Sequence, residues 1–260
     1  MNWARAKAVV WRHIYNFKHS LDRVFDMFYW PVMDLLIWGL TSVYIRETAS
    51  FPDLVKILLT GMVFWQVVWR SQYEITTNLL EEIWAHNMVN LFATPLTIPE
   101  WMMGVVLLGL TKMIFTIVFV FSLVFLMYGV EVLQIGWLLL PFLTLLLISG
   151  WYIGFIVSGF IVRFGNRIQT LAWSGVYLLA PFSAIYYPVE TLPMWAQKIA
   201  SWIPASYVFE GMRSVLISGT MDQANLIKSG ILTGVYLLLS IKFFFFMFNN
   251  SKKQGLCSLE

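Results

Sequence analysis

The sequence predicts an all-α membrane protein. It reads as six transmembrane helices, an interfacial amphipathic helix at the N-terminus, a short surface helix after span two, and a pair of re-entrant helices after span five. Three observations predict this. The chain has 260 residues, of which 59% are hydrophobic and only 12% charged, about half the charged share of an ordinary soluble domain. Six apolar runs are each long enough to cross about 30 Å of hydrocarbon. Lys and Arg fall unevenly between the loops, as they do in polytopic membrane proteins.

The elements follow in order. Residues 1–25 form a basic amphipathic segment without the long apolar stretch of a signal peptide. On a helical wheel Trp3, Val10, Ile14, Phe17 and Leu21 share one side, and Arg5, Arg12, Asn16, His19 and Arg23 the other. That pattern predicts a helix lying in the membrane interface with its cations toward anionic lipid head groups. Residues 26–250 hold the spans, near 27–45, 54–73, 101–128, 132–162, 168–187 and 227–248. Residues 251–260 are a polar tail. Every span must be helical, because lipid offers no partner to open backbone groups.

An even number of spans puts both termini on one side. That side carries Arg5, Lys7, Arg12, Lys18, Arg23, Arg163, Arg167, Lys252 and Lys253. The other side carries Arg46, Lys56, Lys198, Arg213 and Lys228. The excess of cations predicts cytoplasmic termini in a cell inner membrane.

Several function classes are absent from the motifs. There is no G-x-x-x-x-G-K-[ST] to cradle nucleotide phosphates, no H-E-x-x-H and no G-x-S-x-G. No catalytic or metal-binding residue is predicted. The three histidines, His13, His19 and His86, read as surface residues. Cys257 is the only cysteine, which rules out an internal disulfide. The net charge of +3 is too small to imply nucleic acid. Asp34, inside the first span, is costly unless paired or wet. It reads either as a wall residue of a hydrated pathway or as half of a pair, for example with Lys112 of span three.

Two segments carry the most information. From Asn78 to Ala93 nothing in "NLLEEIWAHNMVNLFA" breaks a helix, and the Thr94-Pro95 that follows ends it. Glu82, His86 and Asn90, spaced by four, make a polar stripe expected to face water or a partner. On the opposite side of the membrane, residues 188–218 are cut by Pro188, Pro193 and Pro204 into helices too short to span. They are expected to dip into the outer leaflet and return. Glu210 and Arg213, three apart, can pair.

The run "LLEEIWAHNMVNLFATPL" and the outer set Pro193, Pro204, Tyr207, Glu210 and Arg213, in this order and on these sides, resemble the membrane permease subunit of type-2 ABC exporters. The resemblance covers nearly the whole chain. It implies a permease that is not itself an enzyme. ATP and Mg would be bound by two copies of a separate P-loop subunit, and the permease would work as a dimer, expected to be a homodimer, among membrane lipids. It implies that residues 78–93 are a coupling helix, with Glu81, Glu82, Trp84, His86, Asn90, Phe92, Thr94 and Pro95 at the ATPase contact. The re-entrant pair would cap the exit. The expected cargo is an amphipathic lipid, drug or antibiotic-like molecule, with a lipid-linked polysaccharide as the competing reading. Its path would run past Asp34 and past Tyr29, Trp38, Trp65, Trp69, Trp173, Tyr177, Phe182 and Tyr186, aromatics that read equally well as lipid-facing. An ion-coupled transporter predicts repeated halves, and a scaffold predicts a soluble partner surface.

Overall fold

The computed structural model describes residues 2–49 and 53–254. The side chains of residues 16–19, with the readings for Asn16, Phe17, Lys18 and His19, lie outside the described residues, as do 255–260 and Cys257. All regular elements among the described residues are helical. Helix α1 is Trp3–His19, α2 Leu21–Ala49, α3 Leu54–Trp84, α4 Met88–Ala93, α5 Ile98–Tyr128, α6 Leu139–Phe164, α7 Leu171–Ser174, α8 Met194–Ala200, α9 Pro204–Ser218 and α10 Gln223–Gln254. Among the described residues, five helices are long and apolar enough to cross a membrane: α2, α3, α5, α6 and α10.

Helix α3 is the central post. Its apolar window is 83% buried, against 22–33% for the other four. Helices α2, α5 and α6 pack around it, and α10 lies on the outer side of α6. The close approach of α6 to α3 depends on small residues. A Cβ at Gly150 would lie 2.5 Å from Ser71 Cβ and from the Val68 carbonyl, and one at Gly154 would lie 3.1 Å from Ile75 Cβ. This spacing of two glycines four apart lets membrane helices approach backbone to backbone.

Local chemistry sets the helix ends. Pro31 lies inside α2 without ending it. Thr97 and Glu100 form a capping box at the start of α5, with Pro99 in its first turn, and Gly129 ends it at φ 66°. Pro204 opens α9 and Gly219 closes it at φ 69°. These are the residues expected at such ends.

Four expectations need correction. Residues 1–25 are not one element, because Ser20 separates α1 from α2. The protein-facing side of α1 is Ala6, Val9 and His13, with Trp3 exposed, because Val9 seats against Gly104 of α5. Helix α10 runs on through Ser251 to Gln254, into the expected tail. The predicted helix 78–93 is divided: α3 continues to Trp84, and α4 begins only at Met88. His86 sits at the break with φ 51°, in the left-handed region.

Residues 165–187 form short 3₁₀ turns around the four-residue α7. Their bonds mix i→i+3 and i→i+4 spacing, and Pro181 removes a donor. The segment nevertheless follows α3 in the antiparallel sense. The Trp84 indole N–H donates to Gln169 Oε1, Gln72 Nε2 donates to the Ala172 carbonyl, and the Ile185 carbonyl lies beside Gly61.

Candidate functional site

One end of the bundle gathers α1, the end of α3, α4 and the start of α5. The elements are fastened by charge. Glu82, 2% exposed, accepts from Arg12 Nη2 at 2.9 Å and from Asn87 Nδ2 at 2.7 Å. Arg23 lies 3.0 Å from Glu81. Arg5 donates to the Pro95 carbonyl at 2.6 Å, and the Asn2 backbone N–H donates to Glu100 at 2.7 Å. His13 is buried between the two acids, 4.0 Å from Glu81 and 3.8 Å from Glu82. Burial pushes its imidazole down to about 4, and the Glu82 carboxylate raises it only in part.

These contacts revise the expected stripe. Glu82 does not face water; it is the buried anchor of α1 and of the turn before α4. Outside this anchor lies a ridge of exposed residues, Trp84, His86, Val89, Asn90, Thr94 and Pro95. Met88 is fully buried beneath it. Thr94 Oγ1 donates to the Leu91 carbonyl at 2.6 Å and accepts from the Leu96 N–H at 3.3 Å. Phe92 turns inward and meets Phe248 of α10 edge-on at 5.0 Å.

Several expected pathway aromatics form separate ring pairs on or beside α3. Trp84 stacks on Trp173 at 6.3 Å and Trp69 on Tyr73 at 4.9 Å. Trp65 meets Tyr177 at 6.1 Å, and Trp38 stacks on Tyr186 at 4.5 Å. Trp65 and Trp69 are buried, whereas Tyr177 is 51% exposed. Two members stand apart: Tyr29 stacks on Phe25 on the outer surface of α2, and Phe182 meets Trp195 of α8. Asp34 does not pair with Lys112. It accepts from Gln66 Nε2 at 2.7 Å, while Lys112 reaches Glu74 at 2.7 Å.

At the opposite end the expected pieces meet. Arg213 donates to Glu210 and to the Ala184 carbonyl, both at 2.9 Å, and Glu210 also accepts from the Val189 N–H. Tyr207 donates to the Ser201 carbonyl across the turn between α8 and α9. Pro204 is buried and Pro193 exposed.

Sequence reasoning missed one feature. Gln66, Arg70, Glu74, Asn78 and Glu82 are all buried on α3. Their spacing of four was visible, and it is the signal of one polar face on a long helix. Ending span two at residue 73 cut that face in half.

Long apolar helices around a polar-striped post, with no soluble domain among the described residues, define a multi-pass membrane protein. The family model of the ABC-2 type transporter matches residues 5–217. The chain belongs to that family and is an ABC-type permease subunit, of a kind that generally pairs with an ATP-binding subunit. No match was found among curated proteins.

Proposed function

We propose that this permease is the membrane-spanning half of an ATP-driven exporter that moves an amphipathic lipid, drug or antibiotic-like molecule out of the cell. Two copies of a separate P-loop subunit bind ATP and Mg and dock on the exposed ridge of α4. The single observation that carries this reading is the anchoring of that ridge. A push on α4 reaches α1 and α3 through Glu82 and reaches α10 through Phe92. A plain linker needs no buried ion cluster beneath it.

The segment 165–187 supports the rest. It runs alongside α3, so we read it as a sixth crossing, with both termini in the cytoplasm of a cell inner membrane. Irregular backbone at membrane depth is tolerated only against protein or a wet cavity. Yet Trp173, Tyr177 and Leu178 are exposed on the single chain, at 36%, 51% and 67%. A second copy of the chain and a hydrated path between the two copies would cover them. The cargo then passes the ring pairs from Trp84–Trp173 to Trp38–Tyr186, beside Asp34, and leaves under the cap built by Glu210 and Arg213.

Extraction in mild detergent tests the reading. The permease is expected to bring down a P-loop ATPase, and Val89→Asp, which places a charge on the ridge, to lower coupled ATP turnover at least tenfold. Turnover indifferent to that substitution would overturn the docking site.

A further inference from the structure

Asp34 sits near the middle of the span Arg23–Glu47. Trp38, one turn further along the same helix, stacks on Tyr186 of the irregular segment at 4.5 Å. Across from them on α3, Gln66 Nε2 donates to Asp34 Oδ2 at 2.7 Å. The neighbouring Trp65 meets Tyr177 edge-on at 6.1 Å. Tyr177 and Tyr186 both lie within electrostatic reach of the Asp34 carboxylate.

Three features set this carboxylate apart. First, no cation balances it. Among the described residues the neutral Gln66 amide is the only group that bonds it, and no charged group acts on it. The cations further along the bundle are taken: Arg70 by Asp26 and Glu74, and Lys112 by Glu74. Second, it is reachable. Asp34 is partly exposed, and its Oδ1 has no donor yet is not sealed off from the surface. Third, its accessible side carries aromatic rings. Tyr177 is 51% exposed, and Trp38 and Tyr186 are half-buried.

A carboxylate at membrane depth without a counter-charge is costly. A neutral amide offsets only part of that cost, and a cation carried by a ligand offsets the rest. The rings decide which cation. Trp and Tyr faces attract an ammonium, and their apolar area covers its alkyl or aryl substituents. A metal ion would need several oxygen ligands, and no group of three acids or histidines stands among the described residues to supply them. A zwitterionic lipid would bring its phosphate beside a carboxylate that already lacks a cation.

We infer that the cargo carries a lipophilic cation, such as a protonated or quaternary ammonium, which binds Asp34 against the rings of Trp38, Tyr177 and Tyr186. The inference rests on the permease reading in taking this face as the cargo path, and it narrows the cargo class. Binding itself requires no ATPase contact.

The test titrates the full chain, purified in a neutral detergent, with tetraphenylphosphonium as the lipophilic cation. Tetraphenylborate, of nearly the same shape and opposite sign, is titrated separately as the control. Calorimetry is expected to show saturable binding of the cation, about tenfold or more tighter than the anion. Asp34→Asn keeps the size of the side chain and removes only its charge, so the fold is not at risk. It is expected to weaken cation binding about tenfold or more, the loss of a charge-assisted contact. Trp38→Leu is expected to weaken it about three- to tenfold, the loss of one cation–π face. Asp222→Asn, at an exposed acid next to α9, should leave binding unchanged. Equal binding of the two probes, full binding in Asp34→Asn, or an equal loss in Asp222→Asn would overturn the site. Phosphonium bound at Asp34 in a chain with no ATPase partner would sink the exporter reading and leave the site standing. An ATPase partner without phosphonium binding would sink the cation inference and leave the exporter reading standing.

Discussion

Gly150 carries the sharpest stability prediction. In Gly150→Ala the new Cβ meets Ser71 Cβ and the Val68 carbonyl at 2.5 Å, and the Gln72 backbone nitrogen at 3.1 Å. Two of these atoms are backbone of the central helix, so no side-chain rotation relieves the clash. Restoring ordinary contact at about 3.5 Å parts α3 from α6 by about 1 Å. Overpacking of this kind costs up to about 3 kcal/mol. Replacing a helical glycine with alanine returns about 1 kcal/mol of backbone entropy, which leaves a net loss of about 2 kcal/mol. Gly234 of α10 is the control, since a Cβ there has nothing within 4 Å. Gly234→Ala is expected to gain up to about 1 kcal/mol. Thermal unfolding of the purified permease should show Gly150→Ala lower by about 5 °C and Gly234→Ala level or higher. Equal shifts for both variants would refute the claim that glycine spacing sets the α3–α6 distance. The same separation would draw Gln72 from the Ala172 carbonyl, so the irregular segment should loosen too.

Other outcomes follow from the ion contacts. Glu82→Gln removes the charge that holds Arg12 and Asn87; Arg12 is 40% exposed, so solvent screening limits the loss to about 1–2 kcal/mol. Amide exchange in 88–93 should quicken about tenfold. His13 keeps a neutral imidazole in the fold down to about pH 4, whereas the unfolded chain binds the proton near 6.5. The unfolded state therefore holds more protons between these values, and stability should fall on acidification through that window by up to about 1.4 kcal/mol per pH unit. His13→Phe should flatten the dependence in denaturation curves recorded from pH 7 to 4. Arg213→Ala strands the Ala184 carbonyl, while Glu210 keeps the Val189 N–H, and should cost about 1–3 kcal/mol, read as proteolytic opening near residues 184–192.

Legibility in the sequence followed the physics that acts locally. The five long helices were visible because hydropathy and length decide them. The break at Pro204 was visible because proline opens a helix locally. The pair of Glu210 and Arg213 needed only a spacing of three. Residues 168–187 were apolar enough to read as a smooth fifth span. Their breaks arise from Pro181 and from tertiary donors such as Gln72 that take carbonyls out of the regular ladder. The break at 85–87 had no local cause in the sequence. The buried Glu82 holds Asn87 there and also accepts from Arg12 of α1, a tertiary contact that helical periodicity does not reveal. Asp34 was offered Lys112 as one example of a partner; Lys112 meets Glu74 instead, a residue of the polar face on α3 just past the expected end of span two.

The central claim is that the ridge over Glu82 meets the ATP-binding subunit. A photo-crosslinking residue at Asn90, which is exposed on α4, tests it most directly in native membranes. The account predicts a crosslink to a P-loop ATPase, at a yield that changes when ATP is added. Robust crosslinking from Trp195, on α8 at the opposite end of the bundle, with none from Asn90 would contradict it.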